Sequence, residues 1–214
     1  MKNIQKWGGI SALYAGAAYI MGMLFFLVIV DYMNVTDPME KLNLIVNNHA
    51  GFYAITMIIY VFFAVFLVLL SLALYERLKE ATPLVIQTAT VFGLIWATIL
   101  IASGMIFNIG MEKVIDLFGK DPVQAATVWM AIEAVHEGVG GGNEIVGGIW
   151  ILLISIAALQ LKTFPRALNI LGILVGAAGI LSIIPPLGII AVMIFGLFQI
   201  IWFIWLGIFL LRRS

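Results

Sequence analysis

From Gly8 to Val30, Phe52 to Tyr75, Leu84 to Ile109 and Ile189 to Leu211, the chain carries no charged side chain. No other feature limits its fold as strongly. About 20 helical residues cross the hydrocarbon core of a bilayer, and each of these runs is at least that long. Two more apolar runs, 143–161 and 167–184, come close to that length, the first with a single acid, Glu144. Backbone in hydrocarbon must satisfy its own hydrogen bonds, so such runs are read as helices. The expected fold is all-α. It is a polytopic, six-helix membrane protein with spans at about 8–30, 52–75, 84–109, 143–161, 167–184 and 189–211, forming a single domain over residues 1–214.

Composition agrees, since 64% of the residues are hydrophobic and 10% charged, against about 25% charged in soluble domains. The bilayer is therefore the expected partner of most of the surface. Short charged or proline-bearing breaks separate the runs: ERLKEATP (76–83), LKTFPR (161–166) and PPLG (185–188). The two longer loops, 31–51 and 110–142, hold most of the acids. The N-terminal MKNIQKWGG places two lysines before an apolar run too long for a cleaved signal, so an uncleaved first span is expected.

Six spans put both termini on one side, together with Lys2, Lys6, Arg77, Lys79, Lys162, Arg166, Arg212 and Arg213; Lys41, Lys113 and Lys120 fall on the other. Lysine and arginine concentrate in cytoplasmic loops, so both termini are expected inside. Trp7, Trp202 and Trp205 suit an inner aromatic belt and Trp129 an outer one. No basic cluster is large enough for nucleic acid. With no cysteine, disulfides, iron–sulfur clusters and thiol catalysis are excluded.

The stretch AIEAVHEGVGGGNEIVGGIW (131–150) is the candidate site. Wound as one α-helix it aligns Glu133, His136, Glu137, Gly140, Glu144, Gly147 and Gly148 on one face. A Glu-x-x-His pair is the unit from which helical bundles build metal sites, although carboxylate-bridged centres use two such units and only one is present. The second histidine, His49, precedes the second span and is expected at the same outer boundary. One composite site is therefore open to Asn48 and His49 from that side and Glu133, His136, Glu137 and Glu144 from the other. Three readings stand together. The residues are a solvated lip of the membrane, with the glycines allowing a bend between an interfacial helix (122–137) and the span. They hold a divalent transition metal, zinc or iron, through His49, His136 and Glu133, Glu137 or Glu144. They line a metal-free pocket for a small ligand, with Asn48, Asn143 and Glu144 as contacts. A bis-histidine haem would need both histidines on opposite faces of one porphyrin and is disfavoured.

Elsewhere in the spans the chemistry is sparse. No ionisable residue lies near mid-depth in the first three or last two spans, which argues against an ion pump. Thr98, Ser103 and Gln199 are read as hydrogen-bond partners between helices, and Trp96 and Trp150 as apolar core. Gly172 and Gly176 form a small-xxx-small pair of the kind that brings membrane helices close. GVGGGN is not a phosphate loop, since no strand precedes it and no Lys-Ser/Thr follows.

The second half, FPRALNILGILVGAAGILSIIPPLG (164–188) followed by FQIIWFIWLGIFLLRR, resembles a family of bacterial six-helix integral membrane proteins known as a domain of unknown function. The likeness is carried by Phe164-Pro165-Arg166 and by the Trp-Leu-Gly-x-x-Leu pattern of Trp205 to Leu210, with GGISALYAGAAYIMG near the N-terminus similar in style. The resemblance implies a bacterial cytoplasmic-membrane protein and brings no reaction or catalytic residue with it. Two functions follow from the residues: a small-ligand binding, sensing or accessory protein with a polar site at its extracytoplasmic face, or a membrane-embedded metal-dependent enzyme. A small-solute transporter is a weaker third. A homodimer or a membrane-protein partner is compatible with the small-residue faces.

Overall fold

In the computed structural model, residues 2–80, 83–141 and 144–213 are described. Among them there is no strand; the chain is a succession of helices. They are α1 (Lys2–Leu24), α2 (Pro38–Asn47), α3 (His49–Thr56), α4 (Phe63–Leu78), α5 (Pro83–Phe118), α6 (Pro122–His136), α7 (Glu144–Leu161), α8 (Arg166–Leu181) and α9 (Gly188–Arg212). Three stretches widen to π-helix: Phe25–Ile29 after α1, Met57–Phe62 between α3 and α4, and Glu137–Gly141 after α6. A single 3-10 turn spans Tyr32–Asn34.

Among the described residues, five helical stretches are long and apolar enough to cross a membrane: Asn3–Ile29, His49–Leu78, Pro83–Phe118, Pro122–Leu161 and Gly188–Arg212. The expected fifth span is shorter. Arg166–Leu181 has 16 residues, or about 24 Å of helix, against a hydrocarbon core of about 30 Å. Many exposed side chains of these helices are themselves apolar, with Ile189 80%, Leu84 76% and Ile29 72% exposed, as helices facing lipid require.

Helix boundaries depart from the expected ones chiefly at 31–51 and 110–142, which are mostly helix rather than loop. The reason is a repeated start signal. Asp37-Pro38 opens α2 and Asp121-Pro122 opens α6, each aspartate accepting a hydrogen bond from the backbone N–H three residues on, Glu40 at 2.8 Å and Gln124 at 3.0 Å. Proline supplies the helical φ at a position whose N–H would have no partner. The third span likewise runs on: α5 has 36 residues, about 54 Å, so the end carrying Glu112, Lys113 and Asp116 extends past an apolar core of ordinary thickness.

The chain divides into two compact units. One comprises Met1–Ala17, Phe63–Thr98 and Asn143–Ser214. Its centre is aromatic: Trp96 and Trp150 lie 5.9 Å apart between ring centroids, Trp150 and Trp202 5.8 Å, and Phe63 packs edge-on to Trp96 at 5.8 Å. In the same unit α7 and α8 meet backbone to backbone. A Cβ on Gly148 would stand 2.8 Å from the Gly176 carbonyl oxygen and 2.9 Å from the Gly179 Cα; one on Gly176 would stand 2.7 Å from the Gly148 oxygen. Gly147 beside it takes the edge of the Trp96 ring. Helices in lipid gain no hydrophobic drive toward one another and associate by close packing, which bare Cα atoms permit.

The other unit comprises Ala18–Phe62 and Ile99–Gly142. Its core joins Tyr32, Leu42, Ile45 and Phe52 to Phe107, Met111, Val114, Ala125 and Trp129.

The glycine contact sets an expectation. Gly148→Ala forces a methyl against backbone and should cost about 1–3 kcal/mol, as overpacking does. Gly196→Ala in α9, with nothing within 4 Å, should be neutral or stabilising by up to about 1 kcal/mol. Thermal unfolding of both variants in detergent measures the difference.

Candidate functional site

The 131–150 segment is not one continuous α-helix. α6 ends at His136, the winding widens to π over Glu137–Gly141, and α7 begins at Glu144. The winding therefore departs here from the regular α-helical spacing on which a shared face was expected. Glu133 and His136 belong to the second unit, and Glu144, Gly147 and Gly148 to the first.

Glu133 sits in a compact polar group. Its Oε1 accepts from the Tyr32 hydroxyl at 2.7 Å and from Lys41 Nζ at 2.8 Å, and the Trp129 indole N–H donates to the Tyr32 oxygen at 2.9 Å. The Lys41 ammonium also lies 4.9 Å from the centre of the Tyr32 ring. Each element contributes through its local fold: the 3-10 turn presents Tyr32, the capped helix α2 presents Lys41, and one face of α6 presents Trp129 and Glu133 four residues apart. Tyr32 is 4% exposed. Burial, reinforced by the Glu133 carboxylate, raises the phenol far above its ordinary range, so Tyr32 remains a donor to Glu133 at any physiological pH.

His136, one turn further along, is buried and faces other partners. Its Nδ1 lies 3.0 Å from the Ser103 carbonyl oxygen and 2.7 Å from Ser103 Oγ. A carbonyl can only accept, so the proton belongs on Nδ1, and Nε2 then accepts from the Tyr60 hydroxyl at 3.1 Å. Ser103 Oγ donates back to the His136 carbonyl at 2.9 Å. The Tyr60 and Phe107 rings meet the imidazole edge-on, both at 5.1 Å. Tyr60 can lie so close to α5 because residue 104 is glycine; a Cβ there would stand 2.6 Å from the Tyr60 Cβ. Ser103 is fully buried and its hydroxyl proton is engaged, so this Ser–His contact is not the arrangement of an activated nucleophile.

These contacts continue as a seam between the second and third membrane helices. The hydroxyl of Thr56 meets one end of the Asn108 side-chain amide at 2.5 Å, while the amide's other end is buried without a hydrogen-bond partner. Further toward the loops, His49 Nε2 pairs with Glu112 Oε1 at 2.8 Å in an exposed position. Residues 49, 56 and 60 thus face 112, 108 and 104 in order.

The two histidines accordingly have separate partners, and among the described residues no three His, Asp or Glu side chains are placed to hold a metal ion. Both nitrogens of His136 are already engaged within the protein. Glu137 is exposed. Asn48 is also exposed, and its side chain donates to the Leu44 carbonyl at 2.9 Å, closing the end of α2. Glu144 is half-buried in the first turn of α7. Asn143 lies outside the described residues. Of the three expected interhelical partners, Ser103 makes such a contact, Thr98 bonds back to its own helix at Leu94, and both ends of the Gln199 amide are buried without a hydrogen-bond partner.

Sequence reasoning missed Tyr32, Lys41, Tyr60, Asn108 and Glu112. The last was legible: His49, Thr56 and Tyr60 recur at helical spacing, as do Gly104, Asn108 and Glu112, and two such polar or glycine stripes on neighbouring spans invite pairing.

For the Glu133 group, Glu133→Ala leaves a buried phenol and an ammonium without their acceptor. It should cost about 1–3 kcal/mol, and Glu133→Gln, which keeps an acceptor for Tyr32, clearly less. Thermal unfolding of the two variants side by side checks the order.

No curated protein and no solved structure matches the chain. A family model described as "Domain of unknown function (DUF4386)" matches residues 13–213, nearly the whole chain, and the protein, whose own apolar helices mark it as a multi-pass membrane protein, belongs to that family.

Proposed function

We propose that this protein binds a small polar molecule at the extracytoplasmic end of a six-crossing membrane domain, acting as a sensing or accessory protein rather than an enzyme. The observation that carries this reading is the polar seam of Tyr60, Ser103, Asn108 and His136, and within it the buried end of the Asn108 amide that no protein group satisfies. An unmet buried polar group costs about 1–3 kcal/mol, a standing loss that a hydrogen-bonding ligand would recover. The groups around it are neutral donors and acceptors, suited to holding a small polar molecule. They include no free nucleophile and no converging set of carboxylates.

The topology belongs to the same proposal. In this reading α8 serves as the short sixth crossing, and the excess of eight basic residues over three supports cytoplasmic termini in a bacterial inner membrane. The acidic ends of α5 and α6 then face outward. Because the chain has no cysteine, single cysteines report sidedness cleanly: Asp116→Cys should react with an impermeant maleimide on intact cells, and Lys79→Cys only after lysis. The reverse pattern would overturn the orientation.

The ligand reading is tested by Asn108→Leu, which fills the same space without the amide. A seat empty in purified protein predicts stabilisation, by about 1 kcal/mol or more, in thermal unfolding of the variant. Destabilisation would make Asn108 a structural element and sink the reading. Elemental analysis adds the other arm. About one equivalent of zinc or iron, lost in His136→Ala, would replace the ligand seat with a metal centre.

A further inference from the structure

Arg77, in the last turn of α4, is held without a carboxylate. Its Nη1 donates to Gln5 Oε1 at 3.2 Å, and Gln5 is itself fixed by donating from Nε2 to the Ala73 carbonyl at 2.9 Å. The guanidinium lies 5.8 Å from the centre of the Phe164 ring and 5.5 Å from that of Phe209, two rings that pack edge-on at 5.4 Å. Arg213 stands 5.5 Å from the same Phe209 ring. The acid nearest in sequence, Glu76, is taken by Lys79 at 2.9 Å, and among the described residues neither arginine has an ion pair. Arg77 Nε is also buried with no hydrogen-bond partner. All these residues belong to one compact unit.

Two guanidinium groups sharing one ring repel each other, and the ring quadrupole offsets only part of that. A neutral amide orients Arg77 where an acid would neutralise it, so the cation is positioned and left unbalanced. A guanidinium fork matches the paired oxygens of a phosphate diester. The position, at the end of a membrane helix beside aromatic rings, is where lipid headgroups lie. We infer that Arg77 and Arg213, framed by Phe164 and Phe209, form a binding site for a phosphate group, supplied by the headgroup of an anionic phospholipid. This inference stands independently of the Asn108 seat, which belongs to the other unit.

The test is thermal unfolding of the full-length protein in detergent with added phosphatidylglycerol, phosphatidylcholine or inorganic phosphate. Phosphatidylglycerol should raise the melting temperature, phosphatidylcholine should not, and the gain should vanish in Arg77→Gln and Arg213→Gln. Arg213 is exposed at the end of α9, so its variant remains informative if Arg77→Gln fails to fold. The Lys162→Gln, Arg166→Gln double variant removes two charges outside the cradle and should keep the full shift. Equal loss in that control, or a shift that survives Arg213→Gln, would reduce the effect to general surface charge and overturn the site. A gain with inorganic phosphate equal to that with lipid would overturn the headgroup as the source.

Discussion

Hydrocarbon offers no hydrogen bonds, and this one property of the solvent governs what the chain can do. Backbone groups must bond within their own helices, so the spans are helical whatever their side chains prefer. Polar side chains gain by finding each other or turning back on their own backbone, which one end of the Asn108 amide does not do. Ser103 reaches His136, whereas Thr98 bonds to Leu94. Helices also cannot rely on water to drive them together, which is why a close approach such as that between α7 and α8 is made by Gly148, Gly176 and Gly179 with no side chain between the backbones.

The same constraint separates the chemistry of Glu133 from that of His136, though they lie one turn apart. Glu133 is a charge and is matched by a charge, Lys41, with Tyr32 and Trp129 completing its shell. A half-buried ion pair with additional hydrogen bonds avoids the penalty of an isolated buried carboxylate. His136 is met by a carbonyl and two hydroxyls, all neutral. The first group fastens the 3-10 turn, α2 and α6 together; the second forms a polar interior with an unmet amide close by in the same seam.

Much of the fold was legible because it depends on composition over long windows. Apolar runs located the membrane helices, and the small-residue pair at Gly172 and Gly176 pointed to the close packing of α8. The helix at 38–47 was signalled by its Asp-Pro start but is too short and polar to stand out among spans, whereas an interfacial helix at 122–137 was open to the sequence and lies close to the observed α6. The site was half legible. Spacing identified Glu133 and His136 as notable, yet Tyr32 and Lys41 lie 101 and 92 residues away from Glu133. Periodicity tells which face a residue occupies and not which element will cover it. The pairing of the two histidines failed for the same reason: similar depth along a membrane normal does not make two side chains neighbours, and His49 goes to Glu112.

The π turns have a consequence for how the site is carried. A π turn holds one residue more than an α turn, so it acts as a loop of slack wound into the helix. Passing that extra residue one position along the axis rotates the neighbouring side chain by about 100° while disturbing the bonds of a single turn. Tyr60 lies on such a turn and His136 directly abuts another. The two ends of the Tyr60–His136 hydrogen bond therefore sit where an inserted residue, rather than regular α winding, sets the direction of the side chain.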